Sequence, residues 1–191
     1  MNIAIVGATG NVGRKLLDVL DKKNFQITEL FLVASPKSAG KKIKFKNEEL
    51  IVEDLNNFDF SKVKLAFFAA GSAIAEKWAP IAAEKTIVID NSKFFRKDPQ
   101  IPLVVPEVNS KELAHVKHKN IIANANCSVI PIVVALKPLH DLYSVKRIVA
   151  STYQSVSGAG KEAMDELISQ TKDFLDDKEI NSKNFTKQIA F

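Results

Sequence analysis

The chain of 191 residues, 46% hydrophobic and 26% charged, has the composition of a globular protein with a packed core, long enough for one large domain or one domain and part of a second. Its single cysteine excludes an internal disulfide and fits a reducing compartment. The net charge of +5 is mostly scattered lysine, the only arginines being Arg14, Arg96 and Arg147, which argues against a nucleic-acid-binding surface.

The N-terminal stretch MNIAIVGATG has no basic region before its apolar residues, so it reads as a strand over Asn2 to Val6 and not as a signal peptide. Apolar Val12, Leu16, Leu17, Val19 and Leu20 predict a helix over Asn11 to Lys23. Ile27 to Ala34 follows as a second strand. In KKIKFK at 41–46 the lysines alternate with Ile43 and Phe45, which places them on the solvated face of a strand. Glu48, Glu49, Glu53 and Asp54 come next and suit a hairpin with charges paired across it. Leu65 to Ala69 is a continuous apolar strand of the parallel-sheet kind, Ala73 to Glu84 a helix, and Thr86 to Ile89 a further strand. Pro99 to Pro106 is proline-punctuated and crosses between structures. Beyond Ile121 to Ala123 lie the cysteine segment, a helical run to about Asp141, a strand-like alternation over Val145 to Tyr153, and a helix over Gly158 to Asp177. The longest apolar run, Val129 to Leu136, is broken by Pro131 and falls far short of the ~18 residues of a membrane span. A cytoplasmic protein without membrane or nucleic-acid partner is expected, with no metal site.

Strands alternating with helices predict an α/β fold with a doubly wound parallel sheet. Gly7, Gly10 and Gly13, in GATGNVG between the first strand and the first helix, point to a Rossmann-like dinucleotide site. The early glycines permit a tight turn and close approach to a pyrophosphate; the last lets helix and strand pack, and the helix N-terminus offers its N–H groups to the anion. At the end of the second strand, where an NAD site places a carboxylate, this chain has Ser35, Lys37 and Ser38. A lysine with two hydroxyls suits a 2′-phosphate and predicts NADP.

Cys127 lies in ANANCSVI. A lone cysteine is most often a small core hydrophobe. Here Asn126 is placed to cap a helix, and a thiol in the first turn feels the positive end of the helix dipole, which favours thiolate. Nearby N–H groups can stabilise an oxyanion. This framing favours a nucleophile over a core filler. In STYQSVSGAG, Gln154 and the small-residue turn at Ser157 and Gly158 offer a second anion-binding place, or simply a turn with a surface glutamine.

GATGNVG, DNSKFFR at 90–96, VVPEVN at 104–109, NANC at 124–127, ALKPLHD at 135–141 and STYQSVSGAGKEAMDEL at 151–167 together resemble aspartate-semialdehyde dehydrogenase. The resemblance implies an NADP-binding Rossmann-like domain over 1–126, followed over 127–191 by the first part of an α+β catalytic and dimerisation domain. It implies reversible oxidation of L-aspartate 4-semialdehyde with inorganic phosphate and NADP to 4-aspartyl phosphate, in diaminopimelate, lysine, threonine and methionine biosynthesis, by a homodimer. Cys127 would carry the thioester, Arg96 would hold phosphate, Asn126 would line the pocket and Gln154 would orient the substrate. Thr9, Gly10, Asn11, Val12, Lys37, Ser38, Ser157 and Gly158 would contact NADP. Two motifs depart from the family pattern: DNSSAFR is here DNSKFFR, with bulkier Lys93 and Phe94, and NPNC is NANC.

The chemistry needs a general base. His140 lies thirteen residues past Cys127, ~20 Å along one helix, and His115 and His118 sit among lysines on an expected solvated face. The resemblance puts the base, a histidine, in a C-terminal half beyond this sequence, so the chain is expected to be an inactive N-terminal portion. The alternatives are an N-acetyl-glutamyl-phosphate reductase, or a non-catalytic NADP-binding remnant.

Overall fold

The computed structural model describes residues 1–23 and 25–191, and the side chains of these except His115, Lys117 and His118. The expectation of a solvated face for His115 and His118 lies outside the described side chains. By packing, the chain divides into two compact units, Met1–Val149 and Ala150–Phe191. This division of contacts is distinct from the functional division at 126/127 read in the sequence.

The first unit is built on eight strands: β1 (Ile3–Val6), β2 (Leu30–Ala34), β3 (Lys42–Phe45), β4 (Glu48–Asp54), β5 (Leu65–Phe68), β6 (Ile87–Asp90), β7 (Leu103–Val104) and β8 (Ile121–Asn124). They form one sheet in the order β3-β4-β2-β1-β5-β6-β8-β7, parallel except for the β3–β4 hairpin. The fold is the expected α/β arrangement.

Strand alternation sends successive residues to opposite faces of this two-sided sheet. Ile5 joins Leu17 and Leu20 of helix α1 (Asn11–Lys22), with Leu32, Ile43 and Val52, in one core layer. Ala4 and Val6 join the other layer with Phe60, Phe68, Val88 and the alanine face of helix α2 (Ser72–Ala83). Ala75, Ala79, Ala82 and Ala83 are buried on α2, and residues this small let the helix lie close on the strands. Phe31, Phe58, Phe60 and Phe68 run in series with ring centroids 5.1–6.1 Å apart. In the hairpin, Lys44 stands opposite Glu49, and Lys42 Nζ lies 3.2 Å from Glu49 Oε2. Lys46, in the turn, has φ 53°, the left-handed geometry such two-residue turns use.

After the short helix α3 (Pro106–Asn109) and a 3₁₀ stretch over Ser110–His118, β8 leads to helix α4 (Val129–Tyr143). None of the α4 side chains is fully buried, although most are apolar. Residues 145–153, whose alternation predicts a strand, carry no regular structure. A strand exists only by pairing, and among the described residues no segment bonds to them as a ladder; Ile148 and Val149 are exposed.

The second unit comprises a 3₁₀ turn (Val156–Ala159), helix α5 (Lys161–Leu175) and the segment after it. Glu166 and Gln170, one helical turn apart and both buried, hold that segment. The Glu166 carboxylate accepts from the backbone N–H of Lys183 (3.1 Å) and Asn184 (2.6 Å). Gln170 Oε1 accepts from Ile189 N (2.9 Å) and Ala190 N (3.2 Å), and its Nε2 donates to Glu166 Oε1 at 3.0 Å. Side-chain oxygens thus replace the ladder that this irregular backbone lacks. Among the described residues no helix is long and apolar enough to cross a membrane.

Candidate active site

Parallel strands end together. The register pairs Val6 with Phe68, Phe68 with Asp90 and Asp90 with Ala123, so the segments after β1, β5, β6 and β8 emerge at one edge of the sheet. That carboxyl edge is where open α/β sheets bind ligands. It collects three of the sequence motifs: the glycine loop, DNSKFFR and NANC.

Gly7 has φ 87°, and a Cβ there would lie 2.7 Å from the carbonyl oxygen of Ala69. Gly13 lies in α1, and a Cβ on it would come within 2.3 Å of the Gly7 oxygen. These two glycines are required by the chain's own packing. Gly10 is different: its added Cβ would meet only the Gly7 oxygen at 3.4 Å, and it begins α1 without a side chain to cap the helix. The first-turn N–H groups therefore have no capping side chain over them, and the loop fits a pyrophosphate. Thr9 is half-buried, while Asn11 and Val12 are exposed in the first turn.

β2 ends at buried Ala34, and Ser35 opens a 3₁₀ turn over Pro36–Ser38 in which Ser38 N donates to Ser35 O at 2.8 Å. Ser35 and Lys37 are exposed. The neighbouring strand places Asp54 opposite Ala34, but Asp54 Oδ1 accepts from Asn56 N at 2.9 Å and so closes its own turn.

Cys127 is exposed, not part of the core. Its thiol donates to Asn126 Oδ1 at 3.8 Å, and the same oxygen accepts from Ser128 N (3.0 Å) and Ser128 Oγ (2.7 Å). α4 begins at Val129 with Ser128 at its N-cap, so Cys127 lies just ahead of the first helical turn and not in it as expected. The Asn126 carbonyl accepts from Val129 N and Ile130 N, and its side chain closes the turn that leads into α4. Pro131 falls in the first turn, where its missing N–H breaks no helical bond.

Arg96 is half-buried in a 3₁₀ turn over Phe95–Lys97. Its Nε donates to Asn124 O at 2.9 Å and its Nη2 to Asn91 O at 3.1 Å. Asn124 Nδ2 donates in turn to Asn91 Oδ1 at 2.6 Å. Beneath them Asp90 is fully buried and accepts from Ser92 N (3.1 Å) and Ser92 Oγ (2.7 Å), while Ser92 Oγ accepts from Phe94 N (3.1 Å). Burial pushes the Asp90 carboxyl above the ordinary carboxylate value; the Ser92 hydrogen bonds and the charge of Arg96 oppose that without cancelling it. Asp90, Asn91 and Asn124 lie in the motifs DNSKFFR and NANC, but sequence reasoning assigns them no role of their own; the usable signal is a polar residue at the end of an apolar strand.

Gln154, Ser157 and Gly158 belong to the second unit. Gln154 is exposed; Ser155 Oγ lies 2.8 Å from Ser157 Oγ, and Gly158 N donates to Ser155 O at 3.1 Å.

Residues 2–116 match the semialdehyde dehydrogenase NAD-binding domain, and residues 136–191 match the semialdehyde dehydrogenase dimerisation domain. The chain belongs to the semialdehyde dehydrogenase family. Over all 191 residues the chain is 50% identical to aspartate-semialdehyde dehydrogenase 2 of Vibrio cholerae and 51% identical to aspartate-semialdehyde dehydrogenase of Rickettsia bellii. It spans 57% and 56% of the length of these two relatives, as their N-terminal part. A crystal structure of the Vibrio cholerae aspartate semialdehyde dehydrogenase II complexed with ASA superposes with a TM-score of 0.93 at 49% identity, over 99% of this chain and 56% of that one. The Candida albicans enzyme, solved with NADP, gives a TM-score of 0.61 at 25% identity, over 75% of this chain and 48% of that one.

Proposed function

We propose that the whole protein catalyses NADP- and phosphate-dependent oxidation of L-aspartate 4-semialdehyde to 4-aspartyl phosphate, as a homodimer, in the biosynthesis of lysine, threonine and methionine. Residues 1–126 are its cofactor domain and 127–191 the beginning of its catalytic and dimerisation domain. The observation that carries this reading is the exposed thiol of Cys127, held by Asn126 on the sheet edge that also bears the glycine loop.

The glycine loop and α1 N-terminus would take the pyrophosphate, and Ser35, Lys37 and Ser38 the 2′-phosphate, with Ser157 and Gly158 as further contacts. NADP, when bound, supplies the hydride acceptor for oxidation of the aldehyde. On the protein side, the Cys127 sulfur attacks the aldehyde carbon and so becomes the thioester sulfur once hydride has left that carbon. A phosphate oxygen then attacks the thioester carbonyl, the carbon–sulfur bond breaks, and the thiolate is regenerated. Arg96 holds the phosphate by its planar fork, Asn126 lines the pocket and Gln154 orients the substrate. The proton taken from the thiol requires a base, and the resemblance puts that histidine beyond these 191 residues, so on this reading the 191 residues alone would bind cofactor without turning over.

Calorimetry of the 191-residue chain with NADP and with NAD tests the cofactor reading: tighter NADP binding, weakened by Lys37→Ala while NAD binding is unchanged, is expected. Equal affinity for the two refutes the NADP assignment. Rapid phosphate-dependent NADPH formation from aspartate semialdehyde by this chain would overturn its inactivity alone. The curated relatives cited above are aspartate-semialdehyde dehydrogenases, and nothing in the geometry favours the N-acetyl-glutamyl-phosphate reductase reading over theirs.

A further inference from the structure

We propose that Asn91 and Asn124 form a positioning pair that aims the Arg96 guanidinium, so that two uncharged side chains set the orientation of the anion-binding fork. The proposal rests on the reading of Arg96 as the phosphate anchor.

An arginine side chain is rich in rotamers, and its value for a tetrahedral oxyanion lies in a planar fork presented at a defined angle. Two of the five guanidinium N–H groups are committed to backbone carbonyls, Nε to Asn124 O at 2.9 Å and one on Nη2 to Asn91 O at 3.1 Å. Two fixed points on one edge fix the plane. The two Nη1 N–H groups and the second on Nη2 make no hydrogen bond among the described residues, so they form the side offered to a ligand.

The two carbonyls must themselves be held at the right separation. They belong to the ends of β6 and β8, just past the last ladder pair, Asp90 with Ala123. Beyond that pair no ladder bond joins β6 to β8: Asn91 N donates to Phe68 O at 2.9 Å and Asn124 pairs with Val104 of β7, each on the side away from the other. The 2.6 Å bond from Asn124 Nδ2 to Asn91 Oδ1 closes the gap, joining residues 33 apart in sequence. Each asparagine thus contributes one carbonyl to the guanidinium and one half of the bond that spaces the carbonyls.

Amides suit this task better than carboxylates. A carboxylate at either position would pair with the guanidinium and cancel the charge the anion needs. The nearby carboxylate, Asp90, spends its two oxygens on Ser92 and so stabilises the turn that carries Arg96 without covering it.

Phosphate binding to the 191-residue chain, read from ³¹P line broadening of inorganic phosphate with chloride as competitor, tests the pair. Wild type should bind phosphate, and Arg96→Lys, which keeps the charge but loses the fork, should lose it. Asn91→Ala and Asn124→Ala should each weaken phosphate about tenfold, the effect of one hydrogen bond, and the double variant should be no weaker than either single one. Chloride, a sphere that needs charge and no aim, should compete equally in wild type and in the asparagine variants, which a general loosening of the site would not leave unchanged. Should an alanine variant fold poorly, Asn124→Leu, similar in shape but without a donor, should show the same tenfold loss. If Arg96→Lys fails to bind while the asparagine variants bind like wild type, or if the double variant loses about a hundredfold, the positioning pair is overturned and the phosphate anchor stands. If Arg96→Lys binds like wild type, the anchor reading falls and takes the pair with it.

Discussion

Gly13 and Gly7 are in such close contact that a single added carbon on Gly13 would lie 2.3 Å from the Gly7 carbonyl oxygen. The opposing atom is backbone and cannot swing away, so Gly13→Ala must separate α1 from β1. A loss of about 3 kcal/mol, in the upper range for overpacking, is expected from urea denaturation. Gly10→Ala, with 3.4 Å to the same oxygen, should change stability by less than about 1 kcal/mol. It should weaken dinucleotide binding, because the new methyl group stands where a pyrophosphate would approach.

Asn126→Ala removes the oxygen that accepts from Ser128 N and Ser128 Oγ. The expected cost is about 1 kcal/mol, the ordinary price of a lost helix-start side chain. The bond from Ser128 Oγ, at 2.7 Å, also goes, so Ser128→Ala in the Asn126→Ala background should cost less than in wild type. A double-mutant cycle in urea checks both.

Glu166 should make the second unit acid-sensitive. Burial raises its carboxyl, but the backbone N–H groups of Asn184 and Lys183 more than offset this and hold it below the ordinary glutamate value of 4.5. A carboxyl lowered on folding contributes stability that is present above its unfolded value and is lost as pH falls through the folded one. Hydrogen exchange at the amides of Lys183 and Asn184 should therefore accelerate below about pH 4.5 beyond the intrinsic pH trend. Glu166→Gln should abolish that extra acceleration.

Asp90 runs the other way. Its carboxyl is raised above the ordinary aspartate value of 3.8 by burial, so its contribution is complete below the unfolded value and is lost as pH rises through the folded one. It therefore opposes the acid destabilisation due to Asp59 and Asp98, whose carboxyls are lowered, first of all by hydrogen bonds from Ser61 N and Gln100 N respectively. Asp90→Asn should steepen the fall in stability of the first unit between about pH 5 and pH 3, followed by Trp78 fluorescence in urea titrations. An unchanged or shallower slope would contradict the assigned sign.

The parts of this molecule that are legible along the chain are those decided between sequence neighbours. Alternating Ile43 and Phe45 among lysines, the spacing of Gly7, Gly10 and Gly13, and the periodic apolar face of α1 each express a local steric or burial rule. The structure shows the hairpin, the turn and the helix those rules require. The same local rule misleads over Val145 to Tyr153, where alternation is present but no described partner strand is.

Sequence by itself determined the α/β class, the glycine turn and the polar framing of a lone thiol, because each depends on the chemistry of a few adjacent residues. Only the tertiary structure decided the strand order, and with it which loops share an edge. It also decided that Asn91 meets Asn124 and that their carbonyls hold Arg96. Pairing of distant segments is chosen by the free energy of the whole packed sheet, and no short stretch of sequence carries that sum.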